Sequence, residues 1–345
     1  MEIIEHNTGT EHKRVVGCRD EASSYRGIIA IHSTRLGPAL GGARFWNYAS
    51  EADALTDVLR LSRGMTYKNA LAGLPFGGGK SIIVGNNRTM QREELFRSHG
   101  RFVETLGGSY ITAEDVGTST ADMEYVRLET EHVGGLADRS GDPSPVTARG
   151  VFRAMQAAAR HRWGTDDIGG RRVALQGCGH VGYFLAKELH VAGAKLILTD
   201  VDGERVERIM DECGAERAAP DEIYAVEADI FAPCALGGIL NDETIPQLKV
   251  EIVSGAANNQ LLDARHGEAL AARNILYAPD YAANAGGVIN GCIELLGWAQ
   301  AESRARVEAI YDTLLEIFRL AQSGGIPTYK AADRLAEARL QHAHA

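Results

Sequence analysis

The chain has 345 residues, of which 45% are hydrophobic and 24% are charged, and its formal net charge is −10. This composition is typical of a globular protein with room for two domains, and it argues against both a disordered chain and a nucleic-acid partner. Five cysteines without C-x-x-C spacing indicate a reducing compartment and argue against a disulfide framework or a zinc site. We therefore expect a cytoplasmic protein that binds no metal.

The N-terminal sequence MEIIEHNTGTEHKRVVG lacks the apolar core of a secretory signal. No stretch reaches the roughly 18 uninterrupted apolar residues that a membrane-spanning helix needs. We therefore expect neither export by a signal peptide nor a membrane partner.

The first half of the chain alternates between strand and helix patterns. YRGIIAI at 25–31 predicts a strand, and the apolar periodicity after Ser50 predicts a helix with that serine as its N-cap. SIIVG, which follows Lys80, predicts another strand. REELFRSHGRFVETLGG then predicts a helix, and SYITAEDVG a short strand. This part of the chain is therefore expected to be α/β.

The segment GMTYKNALAGLPFGGGKS contains two lysines, Lys68 and Lys80, around an apolar stretch that ends in three glycines. Glycines let backbone approach a ligand closely, and burial would lower the pKa of a neighbouring lysine so that it can act as a base. A phosphate-binding loop would need a glycine at position 74, which is Leu74. The segment therefore predicts an active site without nucleotide-phosphate binding.

A break at SGDPSPVT, residues 140–147, predicts a domain boundary. VFRAMQAAARHRWG after it predicts a helix, and VALQ, YFLAKELHVAG and KLILTD predict a strand, a helix and a strand in turn. The second half therefore contains a βαβ unit.

The turn GCGHVG inside this βαβ unit has the glycine spacing of a dinucleotide-binding site. Its glycines permit a tight turn, close approach of a pyrophosphate and close helix packing, and Asp200 at the end of the next strand can bind both ribose hydroxyls. An acidic residue there repels a 2′-phosphate, so we expect NAD rather than NADP. The candidate cofactor contacts are Gly177, Gly179, His180, Val181, Gly182 and Asp200.

Three further apolar strands, in ADIFAPCALGG, VEIVSGAANNQ and NILYAPDYAANAGG, end in small and amide residues. Ligands of open parallel sheets bind at the carboxyl ends of the strands. A role in a turn or cap stays open for each residue taken alone. The candidates for ribose and nicotinamide contacts are Cys234, Ala235, Ala256, Asn258 and Asn284.

Many ordered segments of the chain together resemble the glutamate/leucine/phenylalanine/valine dehydrogenase family, in particular its branch acting on hydrophobic amino acids. They include IAIHSTRLGPALGGAR, LSRGMTYKNALAGLPFGGGKS, YITAEDVGTS, GDPSPVTARGVF, GCGHVG, DIFAPCALGG, GAANNQL and APDYAANAGGVIN. The resemblance extends over nearly the whole chain.

The resemblance implies an N-terminal α/β catalytic domain, residues 1–139 with 325–345 returning to it, and a Rossmann-type NAD-binding domain, residues 140–324, with a cleft between them. It implies reversible oxidative deamination of an L-amino acid to a 2-oxo acid and ammonia. It also implies a homo-oligomer, whose number of subunits stays open.

The resemblance also assigns roles to residues of this chain. Lys80 and Asp115 would be catalytic, the lysine as the base for water and the aspartate as the proton partner of the substrate nitrogen. Lys68 would bind the substrate carboxylate, so the two lysines would need opposite charge states. The backbone at Gly41 and Gly42 and the side chain of Asn258 would also contact substrate, and Thr147 would contact the cofactor.

The side-chain pocket implied by the family is lined by Leu40, Ala113, Val288 and Gly291. None of these residues is charged, so a glutamate side chain would be buried without a partner, which favours a hydrophobic amino acid. Gly291 replaces a valine that is common in leucine-preferring members and enlarges the pocket, whereas Ala113 replaces a glycine common in phenylalanine-preferring members. Branched-chain substrates are favoured narrowly over phenylalanine or tryptophan.

Two other functional classes remain as alternatives. A non-catalytic NAD-binding sensor is disfavoured because Lys68, Lys80 and Asp115 are all present. A 2-hydroxy-acid dehydrogenase would need a catalytic His/Arg pair, and His180 lies inside the glycine turn instead.

Overall fold

The computed structural model of the chain describes residues 1–136 and 141–342. Its fold divides into two compact units. The first comprises Met1–Gly141, Gly291–Trp298 and Ala336–Ala345, and the second comprises Asp142–Asn290 and Ala299–Leu335. Residues 139 and 140, where the sequence suggests a boundary, lie outside the described ranges. Each unit combines a β-sheet with helices, which confirms the predicted α/β class.

The first unit is built around a mixed sheet in the order β1-β2-β3-β6-β4-β7, with β5 also paired to β6. Strands β1, β2, β3 and β6 are antiparallel neighbours, whereas β4 and β5 run parallel to β6. The elements in chain order are β1 (Glu2–Glu5), β2 (Arg14–Asp20), β3 (Tyr25–Ser33), β4 (Ala39–Leu40), β5 (Ala43–Trp46), α1 (Glu51–Leu71), β6 (Gly77–Val84), α2 (Arg92–Glu104), β7 (Tyr110–Ile111) and α3 (Thr120–Arg127).

Helix α1 and strand β6 pack closely on each other. The helix begins after Ser50, whose side chain accepts a hydrogen bond from Asp53 N as predicted for an N-cap. Strand β6 begins at Gly77, so Lys80 lies inside the strand, whereas the sequence placed the strand after it. The glycines belong to the strand because α1 packs against them. A Cβ at Gly78 would lie 2.0 Å from Thr66 N, so only glycine lets α1 approach β6 this closely.

The second unit contains a six-stranded parallel sheet in the order β10-β9-β8-β11-β12-β13. This is the doubly wound Rossmann order, so the predicted dinucleotide-binding fold is confirmed. The elements that follow α3 in the chain are α4 (Ser144–Trp163), β8 (Arg172–Gln176), α5 (His180–Val191), β9 (Lys195–Thr199), α6 (Gly203–Cys213), β10 (Glu216–Arg217), β11 (Ile230–Pro233), β12 (Ile252–Val253), α7 (Arg265–Ala272), β13 (Leu276–Tyr277), α8 (Asp280–Ala283), α9 (Gly286–Leu296), α10 (Gln300–Glu308), α11 (Ile310–Gly324) and α12 (Thr328–His342).

Two local predictions in this region are wrong. Helix α4 begins at Ser144, inside the segment interpreted as a break, because Pro145 occupies the first turn, where a helix needs no backbone N–H from it. Asn284 does not end a strand, since it follows the short helix α8 and precedes α9.

Candidate active site and dinucleotide site

A buried ion pair joins Lys80 to Asp115 in the first unit. Lys80 Nζ lies 3.1 Å from Asp115 Oδ2, and the two side chains are 6% and 15% exposed. Strand β6 supplies the lysine, and the loop after β7 supplies the aspartate. The structure therefore brings together the two residues that the family resemblance assigns to catalysis.

Burial and neighbouring charges perturb both groups of this pair. Burial lowers the pKa of Lys80, and Arg44 lowers it further, while Asp115 and Asp57 partly oppose them. Burial alone would raise the pKa of Asp115, but Lys80 and Arg44 outweigh it and hold that pKa below its usual range. A lysine with a lowered pKa beside an ionised carboxylate is suited to accept a proton.

Arg44 and Asp57 extend this pair, and sequence reasoning did not identify either of them. Arg44 Nε donates to Asp115 Oδ2 at 2.9 Å, and Arg44 Nη1 donates to Asp57 Oδ2 at 3.0 Å. The available signal was helical spacing: Asp57 precedes Lys68 by eleven residues on α1, which places both on one face of the helix.

The Gly41–Gly42 turn lies directly against the lysine strand and the aspartate loop. A Cβ at Gly41 would meet Gly79 O at 1.8 Å, and one at Gly42 would lie 2.9 Å from Asp115 Cβ. Tyr110 Oη donates a hydrogen bond to Gly41 O at 2.5 Å, which helps to hold the backbone of this turn in place. These glycines therefore present backbone beside the ion pair where no side chain could fit.

The remaining predicted substrate residues lie on several elements. Lys68 is half-buried in the last turn of α1, the helix that packs on β6. Leu40 in β4 is buried, and the adjacent strand β7 leads to Ala113. Val288 and Gly291 lie one turn apart on α9, and a Cβ at the glycine would meet no heavy atom within 4 Å.

The three motif glycines of the second unit have the geometry that a dinucleotide site requires. Gly177 has φ +101°, and its Cβ would lie 2.7 Å from Ala235 N. A Cβ at Gly182 would lie 2.0 Å from Gly177 O, so the helix packs tightly on the turn. Gly179 is open instead, with its nearest neighbour, Arg205 Nη1, at 4.0 Å. The turn, the packing and the open approach match the three roles of such glycines.

Asp200 lies beside this turn as predicted. Its Oδ2 accepts a hydrogen bond from Cys178 N at 2.6 Å, and its Oδ1 accepts one from Asp202 N at 2.9 Å. Helix α5 begins at His180 with Gly179 as its N-cap, so the N-terminal backbone that would hold a pyrophosphate includes His180 and Val181.

The carboxyl edge of this sheet also contains unused polar groups. Asn284 Nδ2 donates to Ala256 O at 3.0 Å and to Asn258 Oδ1 at 2.8 Å, which joins three predicted residues. Within the described chain, three buried acceptor atoms at strand ends have no hydrogen-bond partner, namely Gln176 Oε1, Thr199 Oγ1 and Ser254 Oγ, and neither has Asn284 Oδ1 after α8. Such atoms are costly unless a ligand or water satisfies them, so these residues fit a bound dinucleotide.

Two other predicted cofactor residues lie nearby in the second unit. Cys234 N donates to Gln176 O at 2.7 Å, and burial raises the pKa of its thiol to about 12. Thr147 lies against the start of α9, since a Cβ at Gly286 would lie 2.8 Å from its Cα. Among residues 1–136 and 141–342, no cluster of three metal-ligating side chains is present, and no helix is long and apolar enough to cross a membrane.

Comparison with known families decides the identity of this pair of sites. The profile described as "Glu/Leu/Phe/Val dehydrogenase, dimerisation domain" matches residues 12–132. The profile described as "Glutamate/Leucine/Phenylalanine/Valine dehydrogenase" matches residues 134–206 and 198–345. The chain belongs to the Glu/Leu/Phe/Val dehydrogenase family. The amino acid dehydrogenase activity implied by the sequence is therefore confirmed.

Individual members of the Glu/Leu/Phe/Val dehydrogenase family match along nearly their whole length. The leucine dehydrogenase of Thermoactinomyces intermedius is 53% identical over 99% of this chain and 94% of the relative. The valine dehydrogenase of Streptomyces albus is 47% identical over 100% of this chain and 96% of the relative. The crystal structure of L-tryptophan dehydrogenase from Nostoc punctiforme is 43% identical, covers 97% of each chain and superposes with a TM-score of 0.86.

Proposed function

We propose that this family member catalyses the NAD-dependent, reversible oxidative deamination of a branched-chain L-amino acid, L-leucine first, to the 2-oxo acid and ammonia. The observation that carries the proposal is the buried Lys80–Asp115 pair beside the Gly41–Gly42 turn. The 53% identity to a leucine dehydrogenase supports leucine as the first substrate.

The residues of the first unit divide the chemistry between them. When bound, NAD supplies the nicotinamide ring that accepts hydride from the substrate α-carbon. Lys80, whose pKa is lowered by burial, acts as the base and takes a proton from the water that attacks the resulting substrate imine. Asp115 exchanges a proton with the substrate nitrogen. Lys68 stays protonated and pairs with the substrate carboxylate, helped by the backbone of Gly42.

The residues assigned to the substrate pocket favour a substrate with a hydrophobic side chain. Leu40, Ala113 and Gly291 of the first unit, which the family resemblance assigns to the side-chain pocket, are uncharged, and a glutamate carboxylate buried against them would have no partner. Branched-chain amino acids bury apolar surface in such a pocket without this cost.

Asp200 supports NAD over NADP as the cofactor. Both of its oxygens accept backbone hydrogen bonds, which fixes the carboxylate at the end of β9, where it would bond the ribose hydroxyls. A 2′-phosphate at that position would face a fixed negative charge.

A second candidate substrate class is aromatic, and Gly291 favours it. The open space around this glycine would accept a larger ring. The structure of a tryptophan dehydrogenase at 43% identity supports the same alternative.

We also propose a cytoplasmic homo-oligomer. The family profile over residues 12–132 is described as a dimerisation domain, and five free thiols are consistent with a reducing compartment. Light scattering coupled to size exclusion measures the subunit number, and a strictly monomeric active enzyme would contradict the proposal.

A substrate panel tests the proposed reaction. We expect purified protein to reduce NAD at alkaline pH with L-leucine, L-isoleucine and L-valine, with kcat/KM higher than for L-phenylalanine, L-tryptophan or L-glutamate. In the leucine assay, kcat/KM for NADP should be lower than kcat/KM for NAD. L-glutamate as the best substrate would overturn the pocket argument, and an aromatic best substrate would establish the second candidate.

Replacing the proposed base tests the assignment of Lys80. Lys80→Ala should lose turnover by at least about a hundredfold, the usual contribution of general base catalysis, while NAD binding by fluorescence titration is retained. Lys249→Ala, which removes an exposed lysine of the second unit, is the matched control and should leave both unchanged. Turnover of Lys80→Ala within a few fold of the parent protein would refute the assignment.

A further inference from the structure

Four charged side chains from four parts of the first unit form one chain of contacts. Asp57 comes from α1, Arg44 from β5, Lys80 from β6 and Asp115 from the loop after β7. The guanidinium of Arg44 bridges the two carboxylates, at 3.0 Å to Asp57 and 2.9 Å to Asp115. Lys80 then contacts the same Asp115 oxygen that Arg44 does, at 3.1 Å. The proposed base and its partner are thus linked to α1 through one arginine.

Asp57 has the contacts of a residue held in one position. Its side chain is 17% exposed, and its Oδ2 accepts hydrogen bonds from Arg44 at 3.0 Å and from Tyr48 Oη at 2.7 Å. Its Oδ1 accepts one from Arg60 Nη2 at 3.2 Å. Three donors fix this carboxylate, so it can in turn fix the orientation of Arg44.

Asp57 acts on Lys80 through its negative charge as well as through its hydrogen bond to Arg44. Arg44 brings a permanent positive charge to a buried lysine, and within a buried site two like charges interact strongly. Asp57 balances that charge through its bond to Arg44 Nη1, while Asp115 is bonded to Arg44 Nε. Without Asp57, Arg44 would face Lys80 with only Asp115 to balance both cations.

We propose that Asp57 is a positioning residue for the deamination reaction: through Arg44 it fixes Asp115 and balances the positive charge that faces Lys80. The inference rests on the proposed role of Lys80 as the base.

The sign of the expected effect follows from the charged groups that shift the pKa of Lys80. Burial and Arg44 lower the pKa of Lys80, whereas Asp115 and Asp57 raise it. Tyr48 lies against Asp57, Arg60 lies outside it at 55% exposure, and the buried Tyr110 lies near Asp115. Removing the charge of Asp57 therefore lowers the pKa of Lys80 further, and the neutral base persists to lower pH.

The test is the pH profile of leucine oxidation. Asp57→Asn keeps the shape of the side chain and removes its charge, so the acid-side limb of kcat should move to lower pH, with a fall in maximal kcat of about tenfold or less because the amide still accepts from Arg44. Asp57→Glu should return the limb toward that of the parent protein. Tyr48→Phe, which removes a hydrogen bond to Asp57 and keeps its charge, is the matched control and should leave the limb in place.

Outcomes of this test separate the two proposals. If the parent protein oxidises no hydrophobic amino acid, or if Lys80→Ala remains active, the proposed function fails. If the parent protein is active, Lys80→Ala is inactive and Asp57→Asn lowers kcat or the melting temperature without moving the limb, the positioning role is wrong.

A second variant covers the case in which Asp57→Asn does not fold. Arg60→Gln alters an exposed side chain and removes a positive charge from Asp57 Oδ1, so the limb should move to higher pH at low ionic strength. An unmoved limb in this variant would overturn the inference.

Discussion

Gly291 is the position where one added side chain would change the substrate preference most directly. A Cβ there meets no heavy atom within 4 Å, so the first carbon of a larger side chain fits at this part of α9 without displacing another residue. Valine also has a higher helix propensity than glycine, so the replacement should not destabilise α9. The open space at this position therefore results from the missing side chain of Gly291.

Gly291→Val should narrow the proposed pocket. We expect kcat/KM for L-phenylalanine and L-tryptophan to fall about tenfold or more relative to L-leucine, since an apolar pocket discriminates by about 1–3 kcal/mol for one or two methylenes. Leu296→Ala, at an exposed position of the same helix, is the control and should leave the ratio unchanged. An unchanged ratio in Gly291→Val would mean that this glycine does not line the pocket.

The sequence predicted local structure well where a motif encoded it. The motif GCGHVG and its flanking residues predicted a strand, a turn and a helix in that order, and the structure confirms each of them. Arg44 and Asp57 carry no such motif, because the contact of Arg44 with Asp115 depends on β5 lying against β6, and the contact of Asp57 with Arg44 depends on α1 packing on the same sheet. Contacts between residues so far apart in sequence follow from the order of strands, which no local pattern encodes.

Helix α3 is held at its start by a buried carboxylate. Asp122 is 1% exposed, accepts hydrogen bonds from Arg92 Nε and Nη2 at 2.6 Å each, and completes a capping box with Ser119. One carboxylate thus joins α3 to α2 and satisfies the first turn of its own helix. Helix α1 has a similar start, where Ser50 and Asp53 are exposed.

Asp122→Ala should therefore destabilise the protein much more than Asp53→Ala. We expect a loss of about 3 kcal/mol in the free energy of unfolding for Asp122→Ala, because Arg92 is left without its buried partner and the cap is lost. Asp53→Ala, the matched control at an exposed helix start, should cost less than about 1 kcal/mol. Urea denaturation followed by circular dichroism measures both, and equal losses would contradict the role of burial.

The sequence predicted the existence and type of strongly periodic elements more reliably than the residues at which they begin. The N-cap of α1 was placed correctly, whereas the starts of β6 and α4 were not. Glycines normally interrupt a strand, and here the close approach of α1 to β6 overrides that tendency. A proline normally ends a helix, but in the first turn of α4 it has no hydrogen bond to break.

The stability of the whole protein should depend on acid in part through the buried His99. His99 is fully buried between Tyr25 Oη, 2.8 Å from its Nδ1, and Ser81 Oγ, 3.3 Å from its Nε2. Burial lowers its pKa to about 3 from the ordinary 6.5. Between these values the unfolded chain binds a proton that the folded protein does not, so stability falls as pH falls below 6.5.

His99→Gln should remove this part of the acid sensitivity. The parent protein should lose about 1.4 kcal/mol more per pH unit than this variant between pH 6 and pH 4, as one proton is linked to unfolding. His190→Gln, which replaces an exposed histidine, should keep the slope of the parent protein. Urea midpoints measured across this range give the slopes, and parallel slopes for the parent protein and His99→Gln would refute the prediction.

The first unit is assembled from three separate stretches of the chain, Met1–Gly141, Gly291–Trp298 and Ala336–Ala345. A chimaera that exchanged this unit with that of another family member would therefore need four crossover points rather than one. Two of them, after Asn290 and after Leu335, fall inside α9 and α12, so both parents would have to share helical register there. Recombination at Gly141 alone would leave the transplanted unit with two stretches from the wrong parent.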